Sequence, residues 1–145
     1  MKVLIVDDSP KVLSDLRQLL GRMGWEVVGE AIDGVQALRM AEELKPDLVT
    51  LDIIMPEMDG IECYRELRRL PHPPRCLLIS VLAAEPRVIA AYEHEIMPGH
   101  FLKKPVHEKE LRERLEEVMS MPPLPFPAPT ELPGSVDQEA LNSAE

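Results

Sequence analysis

The sequence predicts an α/β fold, with one parallel β-sheet covered by helices, over residues 1–119. Short runs typical of β-strands alternate with segments whose apolar residues recur at helical spacing, which is the pattern of such a sheet. Two of the runs end directly in aspartates, at Asp7 and Asp8 and again at Asp52. The length of 145 residues and the 45% hydrophobic content suit one domain with its own core.

Five strands are predicted, separated and followed by five helices. The strands are Lys2–Val6, Glu26–Ala31, Leu48–Leu51, Cys76–Ser80 and His100–Lys103.

The first two predicted helices have clear starts. Ser9 can accept a hydrogen bond from a free amide of the first turn, and Pro10 occupies the first helical position, where a missing N–H costs nothing. Asp33 and Gln36 form a pattern resembling a capping box, and Pro46 prevents the second helix from continuing.

The remaining helices are predicted from turn residues and apolar spacing. The third begins after Asp59 and Gly60, and the fourth follows Pro86. The fifth has an apolar side formed by Leu111, Leu115, Val118 and Met119.

Residues 120–145 differ in composition from the rest of the chain. Prolines at positions 122, 123, 125, 127 and 129 remove backbone donors, so this stretch favours an extended polyproline conformation. The residues that follow include acids and neither Lys nor Arg. We interpret 120–145 as a Pro-rich acidic tail or linker that is disordered, with a partner-binding motif as the alternative.

The overall charge and the N-terminal segment limit the possible partners and location of the protein. A formal net charge of −10 and a pI near 4.9 disfavour nucleic-acid binding, which needs clustered Lys and Arg. The N-terminus has the features of neither a signal peptide nor a membrane anchor, so we expect a cytoplasmic protein.

Three other residue types receive structural interpretations. Cys63 and Cys76 lack the spacing of a zinc or redox pair and are expected to be buried thiols. Trp25 is expected to pack at the start of the second strand. The histidines lack a metal-ligand spacing and are expected at the surface; they are His72, His94, His100 and His107.

The candidate functional residues all follow predicted strands. Ligands of open parallel α/β sheets bind beyond the carboxyl ends of the strands. Residues that can reach this edge are Asp7, Asp8, Asp52, Ser80 and Lys104. Three carboxylates brought together repel one another unless a cation lies among them, and oxygen ligands favour a hard ion such as Mg²⁺.

These residue types suit phosphoryl transfer. Asp52 could attack phosphorus to form an acyl phosphate, while Mg²⁺ held by Asp8 and Asp52 and positioned by Asp7 binds one phosphoryl oxygen. Lys104 would bind a second phosphoryl oxygen, and the Ser80 hydroxyl a third.

The chain resembles the receiver domain of two-component response regulators, of the stand-alone type found in chemotaxis. The features that carry the resemblance are Asp7-Asp8, the segment from Asp52 to Gly60, Ser80, Phe101 and Lys104-Pro105. The resemblance implies a flavodoxin-like doubly wound fold with strand order 2-1-3-4-5 and a cis peptide before Pro105.

The resemblance also implies a function. Asp52 would be phosphorylated by a sensor histidine kinase, Ser80 and Phe101 would act as switch residues, and the face formed by helix four, strand five and helix five would bind a downstream effector protein. A receiver of this type is a signalling domain and not an enzyme in the usual sense.

Two residues beside the predicted site depart from the family's usual pattern. Ile54 can contribute to metal coordination only through its backbone carbonyl and offers water no polar side chain, while Val81 can shield the phosphoryl pocket. We therefore expect slow autodephosphorylation.

The sequence is also compatible with other functions. Within the family, the chain could be a phosphorelay intermediate that passes its phosphoryl group to a histidine phosphotransferase, or a receiver excised from a longer regulator. A phosphatase of the haloacid dehalogenase type would need a second aspartate two positions after Asp52, where this chain has Ile54. A non-phosphorylated interaction module would have no reason to keep the full set of site residues.

Overall fold

A computed structural model describes residues 1–55, 58, 60–81 and 100–120 of the chain. They contain a five-stranded parallel sheet in the order β2-β1-β3-β4-β5, as the resemblance implied. The strands are β1 (Lys2–Val6), β2 (Glu26–Ala31), β3 (Leu48–Leu51), β4 (Arg75–Ser80) and β5 (Phe101–Lys103).

Four helices lie within the described residues. They are α1 (Pro10–Arg22), α2 (Gly34–Leu44), α3 (Gly60–Leu67) and α4 (Glu108–Ser120). The helix α4 corresponds to the fifth predicted helix, and the fourth prediction, after Pro86, lies outside the described residues. None of the described helices has the length and apolar character needed to cross a membrane.

Both predicted helix caps are confirmed. The Ser9 side chain accepts a hydrogen bond from the backbone N–H of Val12 at 3.4 Å, at the start of α1. The Asp33 carboxylate accepts one from the N–H of Gln36 at 2.8 Å. The Gln36 side chain in turn accepts from the N–H of Ile32 at 3.2 Å, so this cap satisfies two backbone donors at the start of α2.

Hydrophobic residues pack on both faces of the sheet. Along β1, Leu4 and Val6 face one cluster, to which α2 and α3 contribute, while Val3 and Ile5 face a second cluster, to which α1 and α4 contribute. Successive strand residues point to opposite faces, so a continuous apolar run is needed when both faces are covered. The two-sided core therefore holds the central strands, and the residues that follow them, in fixed positions.

The prediction for His100 was wrong. This residue precedes β5 and is only 5% exposed. The same strand places Phe101 in the core, so the chain is already covered by the fold before β5 begins. In contrast, His72 and His107 are exposed as expected, and His94 lies outside the described residues.

The cysteine and tryptophan interpretations are confirmed. Both Cys63 and Cys76 are buried, and burial raises the pKa of the Cys76 thiol, which keeps it protonated. Trp25 is half-buried against the cluster on the α1 and α4 side, directly before β2.

The turn between β3 and α3 requires a glycine at position 60. The Gly60 N–H donates to the carbonyl of Ile53 at 2.9 Å, which draws α3 close to the end of β3. A Cβ atom at this position would overlap the backbone carbonyl of Asp52 and would lie 2.8 Å from the Cα of Ile53. These neighbours are backbone atoms, so they cannot give way without moving Asp52.

We predict that Gly60→Ala destabilises the protein by about 1–3 kcal/mol, because the added methyl displaces the backbone at Asp52. The matched control is Gly21→Ala in α1, where a Cβ would meet nothing within 4 Å. That substitution should stabilise the protein by roughly 0.5–1 kcal/mol, because alanine is the better helix former. Urea unfolding followed by circular dichroism measures both, and equal effects of the two substitutions would contradict the steric argument.

Candidate functional site

Parallel register places two of the predicted aspartates side by side. Val6 of β1 pairs with Leu51 of β3, and the next residues along these neighbouring strands are Asp7 and Asp52. Backbone hydrogen bonds extend the sheet to this level, since the Asp52 N–H donates to the carbonyl of Val6 at 3.2 Å. Both carboxylates therefore lie at the carboxyl edge of the sheet, as predicted.

The structure brings three carboxylates together. Asp7, Asp8 and Asp52 each offer an oxygen within 4.8 Å of the others. The side chains of Asp7 and Asp52 are buried, whereas that of Asp8 is exposed. A set made only of carboxylate oxygens fits a hard divalent cation such as Mg²⁺.

Lys104 completes this cluster from the far end of the sheet. Its ammonium nitrogen lies 2.6 Å from Oδ2 of Asp7 and 3.0 Å from Oδ2 of Asp52. The backbone N–H of Lys104 donates to the carbonyl of Ser80 at 3.1 Å, and the peptide between Lys104 and Pro105 is cis, as the resemblance implied. The ion pairs thus join residues that follow β1, β3 and β5.

Burial and the neighbouring charges have opposite effects on the pKa values of Asp7 and Lys104. Burial raises the pKa of Asp7, although hydrogen bonds from Lys104 and from the backbone N–H of Ser9 oppose the rise. For Lys104, burial by itself would lower the pKa, but the hydrogen bonds and charges of Asp7 and Asp52 outweigh it and raise the value. Lys104 is therefore positively charged at neutral pH, while the ionised form of Asp7 carries a cost.

The Asp52 carboxylate is held at both oxygens. Its Oδ2 contacts Lys104, and its Oδ1 accepts a hydrogen bond from the backbone N–H of Ile54 at 3.3 Å. The Ile54 side chain is 54% exposed, so it stands beside the site without covering it. Asp52 itself is 7% exposed.

The two predicted switch residues lie on the neighbouring strands. Ser80 is the last residue of β4 and is fully buried. Because Leu51 pairs with Leu78, Asp52 is level with Ile79, and Ser80 lies about one residue beyond that level. Phe101 begins β5 and is 6% exposed, within the cluster on the α2 and α3 side.

Sequence reasoning missed two features of the site. The Ser9 backbone N–H donates to Oδ1 of Asp7 at 2.9 Å, so Ser9 orients the aspartate as well as capping α1. An aspartate two residues before a helix cap is the signal that could have indicated this contact. A groove of about 380 Å³ also adjoins the cluster, with Lys11 and Leu16 of α1 facing Val81, Lys104 and Val106 across it.

Comparison with known proteins identifies the family that the sequence resembles. Residues 3–116 match the family described as response regulator receiver domain. This chain belongs to that family. Receiver domains bind Mg²⁺ at an acidic pocket, and in this chain Asp7, Asp8 and Asp52 form an acidic cluster.

The receiver is similar along most of its length to small chemotaxis proteins. It shares 35% identity over 117 residues with the chemotaxis protein CheY of Thermotoga maritima, which covers 81% of this chain and 96% of that protein. It shares 34% identity over 119 residues with CheY of Bacillus subtilis, covering 82% and 98%.

Solved structures of receivers have the same fold. The response regulator domain of Thermotoga maritima CheB matches with a TM-score of 0.73 and 32% identity, over 85% of this chain and 98% of that one. A chain from the CheX-CheY-BeF3-Mg complex of Borrelia burgdorferi matches with a TM-score of 0.73 and 31% identity, over 82% and 89%.

The raised pKa of Asp7 has a defined effect on stability. Below the ordinary value of 3.8, Asp7 is protonated in both the folded and unfolded states, and the stability associated with its raised pKa is fully present. That contribution is lost as the pH rises through the folded-state pKa, because the buried carboxylate must then ionise.

We predict that, in EDTA, Asp7→Asn increases the free energy of unfolding at pH 7, because burial of the ionised Asp7 carboxylate costs more than its contact with Lys104 recovers, and Lys104 keeps its contact with Asp52. The gain should shrink as the pH is lowered from 7 towards 4, since Asp7 of the wild type is then increasingly protonated. The control is Asp8→Asn, whose exposed carboxylate should change stability by less than about 0.5 kcal/mol. Urea unfolding across this pH range tests the prediction, and a gain that grows at low pH would refute it.

Proposed function

We propose that this receiver accepts a phosphoryl group on Asp52 from a phosphohistidine kinase of a two-component system, with Mg²⁺ as cofactor. The observation that carries the proposal is the contact of Lys104 with both Asp7 and Asp52, at 2.6 and 3.0 Å, beside the third carboxylate of Asp8. One edge of the sheet then carries the groups that the reaction needs. They are an acceptor carboxylate, ligands for a hard cation and a fixed positive charge.

The proposed transfer forms a bond between an Asp52 oxygen and phosphorus, while the bond from phosphorus to the kinase histidine nitrogen breaks. Asp8 and Asp52 would hold Mg²⁺, with Asp7 positioning it and the backbone carbonyl of Ile54 as a further ligand. When bound, the cation neutralises negative charge on the phosphoryl oxygens. The Mg²⁺ in the similar Borrelia burgdorferi complex supports this assignment.

Lys104 and Ser80 would bind the transferred group. The Lys104 ammonium already contacts Asp52, and its raised pKa keeps it charged, so it can move from the carboxylate to a phosphoryl oxygen. Ser80 is the last residue of β4, which pairs with β3, the strand that Asp52 follows. Its hydroxyl would donate a hydrogen bond to another phosphoryl oxygen. A shift of Ser80 toward the phosphoryl group would transmit phosphorylation of Asp52 to the rest of the fold.

The signal would pass to the effector-binding face that includes β5 and α4. Phe101 of β5 is already buried, so phosphorylation would change its packing rather than bring it in from solvent. The phosphoryl group adds negative charge at Asp52, and this charge can shift the equilibrium between two conformations of the face. We propose that a downstream protein reads this face, with the fourth predicted helix contributing to it.

The remaining assignments concern the role of the chain as a whole. We propose that residues 1–119 form the receiver, that 120–145 form the tail, and that the protein acts in the cytoplasm without binding nucleic acid. As a receiver it is a signalling domain, and we expect no turnover of small phosphate esters, because Ile54 cannot act as the acid and base that a phosphatase needs. Phosphotransfer assays in both directions distinguish a terminal receiver from a relay intermediate.

We predict that acetyl phosphate with Mg²⁺ adds one phosphate to the wild type and none to Asp52→Asn, because the acceptor oxygen is lost. Intact-mass measurement detects the addition. The control is Asp47→Asn, at the opposite end of β3, where Oδ2 accepts a hydrogen bond from the Lys2 backbone. This variant should be labelled like the wild type, and labelling of Asp52→Asn would overturn the assignment.

We also predict that the phosphorylated receiver decays slowly, because the exposed Ile54 offers no polar group to position an attacking water. Ile54→Asn should shorten the half-life severalfold. The exposed Ile32→Asn serves as the control and should leave the decay unchanged. Decay of radiolabelled protein measures all three, and a wild-type half-life of only seconds would contradict the prediction.

A further inference from the structure

A second groove lies at the end of the sheet opposite Asp52. Its volume is about 260 Å³, and its apolar lining consists of Met1, Met23, Trp25, Leu115 and Met119. Met1 and Trp25 directly precede β1 and β2, so the groove opens at the amino ends of the strands. Four thioether or aliphatic side chains around one indole form an adaptable apolar surface.

The chain itself leads to this groove. The helix α4 begins after β5 at the carboxyl edge of the sheet and runs to Ser120 at the opposite edge. Met119 lines the groove, so the segment that starts at Met121 departs two residues from it. A segment tethered so closely has a high effective concentration at the groove, which no separate protein shares.

The composition of the departing segment matches the lining. Residues 121–129 alternate proline with Met121, Leu124, Phe126 and Ala128. Proline-rich segments lose little conformational entropy on binding and dock on aromatic-lined surfaces. Trp25 supplies such a surface, and its indole N–H can donate to a carbonyl of the extended segment.

We propose that residues 121–129 fold back and dock in the groove formed by Met1, Met23, Trp25, Leu115 and Met119. At about 3.1 Å per residue in a polyproline helix, nine residues span roughly 28 Å, which is ample for a groove beside their own attachment point. The docked segment covers the amino edge of the sheet and leaves the phosphoacceptor edge open.

Apolar contact carries this docking, with little help from charge. Arg112 and Glu116 also line the groove, but both are exposed and of opposite sign, and Arg112 already pairs with Glu108 at 2.9 Å. Exposed ion pairs weaken in salt, whereas apolar burial does not. The docking should therefore persist at high ionic strength.

The test uses the full chain, in which Trp25 is the single tryptophan and reports on the groove. The double substitution Leu124→Ser with Phe126→Ser should raise the acrylamide quenching constant of Trp25 about twofold and shift its emission to longer wavelength, because the indole loses its apolar cover. Leu141→Ser, also in the tail but outside the proline run, should leave both values at those of the wild type. Added salt should change neither value in the wild type.

Each outcome decides between docking and its alternatives. Equal quenching in the wild type and the double variant would show a linker that does not dock, and would overturn the proposal. Protection that rises with protein concentration would assign the groove to the tail of a second copy, which also overturns it. Labelling of the double variant by acetyl phosphate should match the wild type, so a failure of docking is distinguishable from a failure of the proposed phosphoryl transfer.

Discussion

The contact of one lysine with two buried carboxylates is the interaction on which this structure depends. Lys104 lies 97 residues from Asp7 and 52 from Asp52 in sequence, yet its ammonium contacts both. Burial of the two acids would be unfavourable without a nearby cation, and burial of the lysine would be unfavourable without the acids. The same three charges that stabilise one another are the groups that phosphoryl transfer would use.

The sheet makes this arrangement possible by covering both faces of its central strands. Apolar clusters on the two sides hold β1 and β3 in register, so the residues that follow them have little freedom. The site nevertheless retains a cost, because burial raises the pKa of Asp7 despite its contact with Lys104. A metal ion would relieve that cost, which couples cation binding to the stability of the edge where Asp52 lies.

Local signals in the sequence account for what was predicted well. The bounds of β1, β2 and β3 agree with the structure, and β1 and β3 end where their apolar runs meet Asp7 and Asp52. The bounds of β4 and β5 differ by one residue, since Arg75 pairs with Leu48 and His100 only precedes its strand. His100 is expected at the surface because it lies at the end of a predicted element without a metal-ligand spacing, but its burial depends on how the chain enters a strand on the sheet.

The sequence by itself determined the type of fold and predicted which carboxylates and which lysine lie at the carboxyl edge of the sheet, because strand periodicity, capping and residue type are local properties. Only the tertiary structure decided that Asp7 is buried while Asp8 is exposed, that Ser9 orients Asp7, and that a groove forms around Trp25. These features depend on distances between residues far apart in the chain. Such distances are set by strand register and by the packing of helices on both faces, which no short segment specifies.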